Sequence, residues 1–504
     1  LGQVAAVSAA AATAVVLVVT AALLWVAIRL TRSRHVGALV LTVLILAFYS
    51  YGAARDLAVR LTNDPPVSPW LSALFDPFTS HSVLTLVMLG LCALLIFQIV
   101  RRLAAGSERL TGACNFAAVT LATFLLVRLG VVGWQQHNLS VNPALAGITA
   151  GKQVSVLGYN PDIYYVIVDG YARADVLREY YDFDNSEFVA GLEKRGFAVN
   201  DSSRANYYWT FLSLASSLNY DYLQDIAAPL FADPETTTLR NGYEHVARLA
   251  QDNRAAQFLR ARGYRYVHIQ SSTPPTVRNP YADEQVACKG SLFDDEYFRT
   301  LAEITWLRVG GSLASADLAE CHKLRLRSLG DQARQPGPKF VFAHFLPPHH
   351  PYLFDRHGNV LKHVTVSNQF DFQAQLWEDK HGYLEQVLYT NRTVLEVVDR
   401  ILAESERPPI IIVQSDHGPN LLGGVPRDKA IALRFANFAA YFLPGAPPGT
   451  LPRDCAPVNQ FRYLFNQYFD ARLPILPDRN FFSTYGTPLR MQEVAAISPT
   501  GNES

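Results

Sequence analysis

The clearest sign of the fold is the segment Pro408-Pro409-Ile410-Ile411-Ile412-Val413-Gln414-Ser415-Asp416-His417-Gly418. Its β-branched apolar run is typical of a buried strand. Asp416 and His417 follow directly, and polar residues at the carboxyl end of a strand in an α/β sheet face the crevice where ligands bind. Carboxylate and imidazole groups are ligands of divalent ions such as Zn²⁺ and Mn²⁺. The dipeptide alone also fits a turn in which Asp416 caps the next segment.

Strand-like runs alternate with amphipathic, helix-like runs through most of the chain after residue 158. This alternation favours an α/β fold with a central, mostly parallel sheet flanked by helices. The predicted strands are 162–168, 264–269, 340–345, 410–413 and 439–443, and the predicted helices are 187–195, 242–262, 296–308, 313–329 and 373–405.

The first quarter of the chain has a different composition. The 504 residues are 49% hydrophobic with a mean hydropathy of +0.07, and the apolar excess lies near the start. A helix needs ~20 apolar residues to cross ~30 Å of hydrocarbon. Residues 1–28, 36–54, 82–100 and 112–134 each come close to that length, so four transmembrane spans are predicted. The 44 basic and 44 acidic residues balance, which gives no argument for nucleic acid.

The arginines between the spans predict the orientation in the membrane. Arg29, Arg32 and Arg34 follow the first span, and Arg101, Arg102 and Arg109 follow the third, whereas the intervening loop has only Arg55 and Arg60. The positive-inside rule places the arginine-rich loops in the cytoplasm and the rest of the chain after Trp134 outside, in the periplasm or the extracellular space. Because the loop after the first span is cytoplasmic, Leu1 before that span lies outside, so we expect a further span upstream.

Four regions are therefore predicted along the chain. They are a transmembrane helical domain at 1–135, a linker at 136–158, an extracytoplasmic catalytic domain at 159–490 and a C-terminal tail at 491–504. Cys288, Cys321 and Cys455 lie in the outer part, where disulfides form. A Cys288–Cys321 pair is predicted, although spacing does not fix connectivity.

Two further segments contain candidate ligand or nucleophile side chains. Asp169 follows the first predicted strand of the outer domain, in the same position as Asp416 relative to its strand. Thr210 opens a helix-compatible run, and the N-terminus of a helix favours negative charge and holds phosphate. A hydroxyl at that place becomes a nucleophile when a metal ion activates it. The alternative is that Thr210 or Ser213 serves as an N-cap.

A histidine cluster, His344-Phe345-Leu346-Pro347-Pro348-His349-His350-Pro351, lies at the end of another predicted strand. His344 ends the strand and His349 lies in the proline-stiffened loop. Imidazoles at such a place bind a substrate phosphate or protonate a leaving oxygen. His344 and His349 are therefore candidate catalytic residues.

The order Asp169-Gly170, Thr210, His344 and His349, then Asp416-His417-Gly418 resembles the alkaline phosphatase superfamily. Within it, the chain is similar to membrane-anchored sulfatase-like transferases, such as the lipoteichoic acid synthases and the lipid A phosphoethanolamine transferases. The resemblance covers nearly the whole chain, spans included. It implies a metal ion bound by Asp169, Thr210, Asp416 and His417, with Thr210 as the nucleophile and a histidine, His344 or His349, at the substrate phosphate.

The resemblance implies a metal-dependent phosphotransferase that moves a phospho-head group from a membrane phospholipid to a glycan or lipid acceptor through a phospho-threonine intermediate. A phosphodiesterase or phosphatase would use the same residues with water as the acceptor, and a catalytically silent scaffold is a third alternative. No Cys-x-Pro-x-Arg motif surrounds Thr210, which disfavours formylglycine sulfatase chemistry. One divalent ion, zinc or manganese, is predicted, and the sequence leaves a second ion open.

Overall fold

A computed structural model of the chain describes residues 6–63, 76–102, 108–109, 111–120, 123–124, 127, 151–228, 239–272, 275–288, 301, 304–307, 311–361, 377–420, 425–484 and 486–495. The chain divides into two compact units. A helical unit contains Leu1–Leu139 and Asp295–Gly311, and an α/β unit contains Ser140–Asp294 and Ser312–Ser504.

The elements are numbered along the chain. The helices are α1 Ala6–Thr31, α2 Arg34–Asn63, α3 His81–Arg102, α4 Ala174–Tyr181, α5 Ser186–Glu193, α6 Thr210–Asn219, α7 Leu223–Ile226, α8 Leu239–Gln251, α9 Arg254–Arg260, α10 Gly311–Asp331, α11 Lys380–Glu404, α12 Arg427–Phe435 and α13 Pro457–Phe469. The strands are β1 Ile163–Val168, β2 Ala198–Asn200, β3 Arg265–Ile269, β4 Glu284–Val286, β5 Lys339–Phe345, β6 Ile410–Gln414, β7 Ala439–Phe442, β8 Asn480–Phe482 and β9 Gln492–Val494.

The helical unit contains long apolar helices. Two of its segments, Arg34–Arg55 in α2 and Ser82–Arg101 in α3, are long and apolar enough to cross a membrane, and Val15–Thr31 is a shorter apolar helix. Exposed leucines such as Leu86 and Leu91 on α3 suit a lipid environment better than water. Residues 112–120 of the fourth predicted span are helical, and much of that span lies outside the described residues. The count of four spans stays a prediction.

The α/β unit is built on a seven-stranded sheet in the order β2-β7-β6-β1-β5-β3-β4. The five strands from β6 to β4 run parallel to one another, whereas β7 and β2 are antiparallel to their neighbours at one edge. A separate hairpin pairs β8 with β9. This architecture confirms the predicted α/β class with a central, mostly parallel sheet. Strand β1 lies between β5 and β6, so the carboxyl ends of these three strands meet at one edge.

Alternating side chains of the central strands pack into two apolar layers. Ile163, Tyr165 and Ile167 of β1 face the layer formed with α6, α8, α9 and α13. Tyr164, Val166 and Val168 face the layer formed with α4, α5, α10 and α11. Because both faces are covered, the strands read as continuous apolar runs, which is why the sequence reveals them.

The five predicted strands are all present within a residue or two of the expected bounds, and the predicted Cys288–Cys321 disulfide is confirmed. The prediction of one continuous helix over 242–262 is wrong, because the helix is interrupted between α8, which ends at Gln251, and α9, which begins at Arg254. There the Asn253 side chain accepts a hydrogen bond from the backbone N–H of Ala256 at 2.8 Å and caps α9. Helix α11 begins at Lys380, later than predicted, with Asp379 as its cap.

His322 of α10 links the stability of the α/β unit to pH. Its ring lies among the rings of Phe345, Phe354 and Tyr389, with centroids 5.3 to 5.7 Å away. Burial, followed by the charges of Arg325 and Lys323, lowers the pKa of His322 to about 3. The imidazole therefore stays neutral in the folded protein throughout the physiological range.

We expect the melting temperature of the α/β unit to fall between about pH 7 and about pH 5, partly because of His322. An unfolded histidine has a pKa of about 6.5, so in this window the unfolded chain binds a proton that folded His322 does not, and the free energy of unfolding decreases as the pH falls. His322→Phe should flatten this dependence, as measured by melting curves across the range. His357→Gln, at an exposed position, is the matched control. Equal pH slopes for wild type and His322→Phe would contradict the assignment.

Candidate metal centre and nucleophile

The register of β1 and β6 places the carboxylates of Asp169 and Asp416 next to each other at the carboxyl ends of the two strands. Ile167 of β1 pairs with Gln414 of β6, and Asp169 and Asp416 each lie two residues further along. The backbone N–H of Gly170 donates a hydrogen bond to Asp416 Oδ1 at 3.1 Å, which joins the two strand ends directly. Both carboxylates are almost completely buried. The strand ends thus place two acidic side chains side by side, away from water.

The turn after His417 requires a glycine. A Cβ atom on Gly418 would lie 2.3 Å from the carbonyl oxygen of Leu433 and 2.7 Å from that of Ala436, both backbone atoms that have no room to move. The Gly418 N–H donates to the carbonyl oxygen of Arg434 at 2.7 Å. This close approach fixes the chain immediately after the two candidate ligands.

Thr210 is the first residue of the ten-residue helix α6. Its Oγ1 lies 2.9 Å from His417 Nε2. The Ser213 hydroxyl, one turn further on, donates to the carbonyl oxygen of Asp416 at 2.7 Å and ties the helix start to the strand end. Thr210 is half-buried, whereas the two carboxylates beside it are buried. The cap position itself is occupied by Trp209, so Thr210 is not the N-cap.

Asp169, Asp416 and His417 together have the composition and geometry of a cation site. One ligand atom from each lies within 4.8 Å of the others, and Asp416 Oδ2 is 3.1 Å from His417 Nε2. Asp169 Oδ1 and Asp416 Oδ2 are buried and have no hydrogen-bond donor in the described part of the chain. Buried carboxylate oxygens are normally satisfied. The two carboxylates and the imidazole therefore fit a divalent ion that takes oxygen and nitrogen ligands.

Burial controls the protonation of this cluster. It raises the pKa of Asp416, and the nearby charge of Asp169 raises it further. Burial also raises the pKa of Asp169. The pKa of His417 is lowered well below its usual range by burial and then by the Arg434 charge, so the ring is neutral, as a ligand must be. Because His417 Nδ1 lies 3.0 Å from the carbonyl oxygen of Gly418, it carries the proton, and Nε2 presents its lone pair.

His344 lies next to Asp169. The side chain is completely buried, and its two ring nitrogens lie 2.6 Å from Thr276 Oγ1 and 3.2 Å from Asp169 Oδ2. Burial lowers its pKa to about 4. Nε2 makes no hydrogen bond within the described residues, although it lies close to Asp169.

His349 lies at the opening of the site. It is half-buried, its backbone N–H donates to the carbonyl oxygen of Asp169 at 3.1 Å, and its ring packs 4.9 Å from that of Trp377. His349 Nδ1 lies 2.6 Å from the carbonyl oxygen of His350 and therefore carries the proton, which leaves Nε2 as an acceptor. Burial lowers the pKa of His349, so the ring is neutral at physiological pH.

Sequence reasoning missed Arg434 on α12. Its Nη2 lies 2.8 Å from His417 Nε2, and its side chain is 4% exposed. The only local signal is an arginine between two residues of core type, Leu433 and Phe435. The six predicted site residues, by contrast, all lie at this edge of the sheet. Asp169, Thr210, Asp416 and His417 form the cluster, His344 lies behind it and His349 beside it.

No family model and no curated protein matches the sequence. Among solved structures, the chain is similar to the C-terminal periplasmic domain of EcEptC from Escherichia coli in complex with Zn, with 13% identity and a TM-score of 0.43 over 67% of this chain and 94% of that one. It is also similar to the integral membrane protein lipooligosaccharide phosphoethanolamine transferase A (EptA) from Neisseria meningitidis, with 12% identity and a TM-score of 0.39 over 82% and 78% of the two chains.

A third similar structure is the lipoteichoic acid synthase LtaP from Listeria monocytogenes, with 10% identity and a TM-score of 0.36 over 66% of this chain and 75% of that one. With TM-scores below 0.5, these likenesses carry no argument about chemistry, which rests on the side-chain geometry.

We expect Asp416→Asn to abolish metal binding, because an amide in place of the buried carboxylate removes the charge that holds the cation. Elemental analysis of the purified full chain should show about one divalent ion for wild type and close to none for the variant. Asp428→Asn, at an exposed position on α12, is the matched control and should keep its metal. Wild-type metal content in Asp416→Asn would remove this residue from the ligand set.

Proposed function

We propose that this chain is a metal-dependent phosphotransferase. It moves a phospho-head group from a membrane phospholipid to a glycan or lipid acceptor through a phospho-threonine at Thr210. The single observation that carries the proposal is the placement of the Thr210 hydroxyl at a helix N-terminus, 2.9 Å from His417 Nε2, beside two buried carboxylate oxygens without hydrogen-bond donors.

The ligands of the ion would be Asp169, Thr210, Asp416 and His417, and Zn²⁺ or Mn²⁺ suits this mixed set of oxygen and nitrogen donors. When bound, the ion supplies a lowered pKa for the Thr210 hydroxyl and positive charge for a substrate oxygen. The protein keeps Asp169 and Asp416 in place through the sheet register and keeps His417 in the correct tautomer through Gly418.

The reaction has two displacement steps at phosphorus. In the first, Thr210 Oγ1 bonds to phosphorus while the bond from phosphorus to the lipid alcohol oxygen breaks, and the hydroxyl proton ends on the departing alcohol. In the second, the acceptor alcohol bonds to phosphorus, the Thr210–phosphorus bond breaks, and the proton of the acceptor alcohol ends on Thr210. The N-terminal N–H groups of α6 favour the negative charge of the phosphoryl group in both steps.

His349 is the proposed proton carrier. Its Nε2 holds a lone pair on a neutral ring, so within each step it can accept the proton of the attacking alcohol and pass it to the departing alkoxide. His344 would act as a positioning residue that fixes Asp169. The apolar helices of the helical unit would anchor the chain in the cell membrane, where a lipid donor is present at high effective concentration.

Thr210→Ala should lower turnover by roughly a thousandfold or more, because the nucleophile is removed. Thr210→Ser keeps a hydroxyl and should retain measurable turnover, whereas Thr210→Val keeps the shape without the hydroxyl and should be inactive. The measurement is diacylglycerol release from vesicles containing phosphatidylglycerol and phosphatidylethanolamine, together with peptide mass spectrometry for a phosphate-bearing group on Thr210. Wild-type turnover in Thr210→Val would remove Thr210 as the nucleophile.

The same vesicle experiment separates transfer from hydrolysis. Transfer predicts that diacylglycerol release requires, or is strongly increased by, an added alcohol acceptor, and that the head group is recovered on that acceptor. Release of the free head-group phosphate at an undiminished rate without an acceptor would instead assign a phosphodiesterase.

A further inference from the structure

We propose that Arg434 binds the phosphoryl oxygens of the substrate and is a catalytic residue that the motifs do not reveal. The proposal deepens the function proposed above and rests on it. The Arg434 guanidinium and the Thr210 hydroxyl both contact the same atom, Nε2 of the candidate ligand His417.

Arg434 is a buried cation without a carboxylate partner. Its hydrogen bonds go to the carbonyl oxygens of Tyr208 at 3.2 Å and Gly418 at 3.1 Å, and to His417 Nε2 at 2.8 Å. Within the described residues, no carboxylate lies at ion-pair distance from the guanidinium. A buried charge normally has an opposite charge beside it. Burial lowers the pKa of Arg434, and Asp416 and Asp169 raise it from beyond ion-pair distance, so the direct ion pair is left for an anionic substrate group.

Aromatic rings hold the guanidinium in this position. Its carbon lies 5.5 Å from the ring centroid of Tyr208, 5.8 Å from that of Trp209 and 5.7 Å from that of Trp377. Such contacts stabilise a desolvated cation without neutralising it. The rings therefore surround the guanidinium without pairing its charge.

The hydrogen bond from Arg434 to His417 indicates where that ligand binds. His417 Nε2 has a single lone pair, which the guanidinium uses in this structure and which a metal ion would use in the loaded protein. Once the lone pair is taken, the Nη2 donor needs another acceptor, because unsatisfied buried donors are rare. A phosphoryl oxygen next to Thr210 Oγ1 is within reach, since that hydroxyl and Nη2 both lie within 3 Å of the same nitrogen.

The N–H groups that remain on the guanidinium match the ligand class. Nε and Nη1 each donate to a backbone carbonyl oxygen, which leaves the second N–H of Nη1 and those of Nη2 for two oxygens of a phosphate. As the phosphoryl group passes from the lipid alcohol to Thr210 and then to the acceptor, its non-bridging oxygens would stay on Arg434 throughout. The ligand class is therefore a tetrahedral oxyanion ester, with phosphate as its simplest member.

The test is the binding of inorganic phosphate to metal-loaded full chain, measured by calorimetry, with metal content measured in parallel. Arg434→Met should weaken phosphate binding about tenfold or more and keep its metal. Arg434→Lys, which keeps the charge but not the fork, should show a smaller loss of about threefold or more, and it decides the matter if the methionine variant does not fold. Arg427→Met removes an exposed arginine from the same helix and should bind phosphate as wild type does.

Phosphate affinity unchanged in both Arg434 variants would overturn the proposal. Loss of metal together with phosphate would also overturn it, because Arg434 would then act only by positioning His417. The proposed function fails on a different observation, the absence of a phosphate-bearing Thr210 in the wild-type chain incubated with lipid. The two failures are therefore distinguishable.

Discussion

The site depends on two carboxylates that lie side by side out of water. Asp169 and Asp416 end adjacent parallel strands, and each has an oxygen without a hydrogen-bond donor in the described residues. Two buried like charges at this separation raise each other's pKa and oppose ionisation. The arrangement becomes favourable when a cation lies between them, with the neutral ring of His417 completing the ligand set. In the proposed function, the same cation would activate the Thr210 hydroxyl.

The surrounding structure maintains this arrangement from several directions. The Tyr383 hydroxyl donates to the carbonyl oxygen of Gly170 at 2.9 Å and accepts from the N–H of Ala172 at 3.0 Å, which braces the turn after Asp169. Ser213 braces the turn at Asp416 from helix α6. Ser415 donates to the carbonyl oxygen of Tyr171 at 2.7 Å and so ties the two turns together. Such second contacts position catalytic groups before substrate arrives.

The sequence predicted those elements and site residues that have a local sequence pattern. Asp169 and Asp416 could be predicted as neighbours because buried parallel strands are visible as apolar runs and their carboxyl ends meet. Thr210 could be predicted because a helix start has a local signature. The short strands β2 and β4 gave no such signal, since three residues are too few to show a period.

Arg434 could not be predicted, because its significance is tertiary. Only the folded chain shows that helix α12 carries its guanidinium to His417, where no carboxylate of the described residues lies at ion-pair distance. For the same reason, the sequence could not distinguish His344 from His349. The former lies at the end of a strand, completely buried and close to Asp169, whereas the latter lies in the following loop and is half-buried.

The most direct test of the central claim is a crystal structure of the chain soaked with Mn²⁺, with anomalous scattering recorded to locate the metal. The account predicts an anomalous peak about 2.0–2.3 Å from ligand atoms of Asp169, Asp416 and His417, with Thr210 Oγ1 beside it. A crystal that binds Mn²⁺ elsewhere, or none at this cluster at saturating concentration, would contradict it.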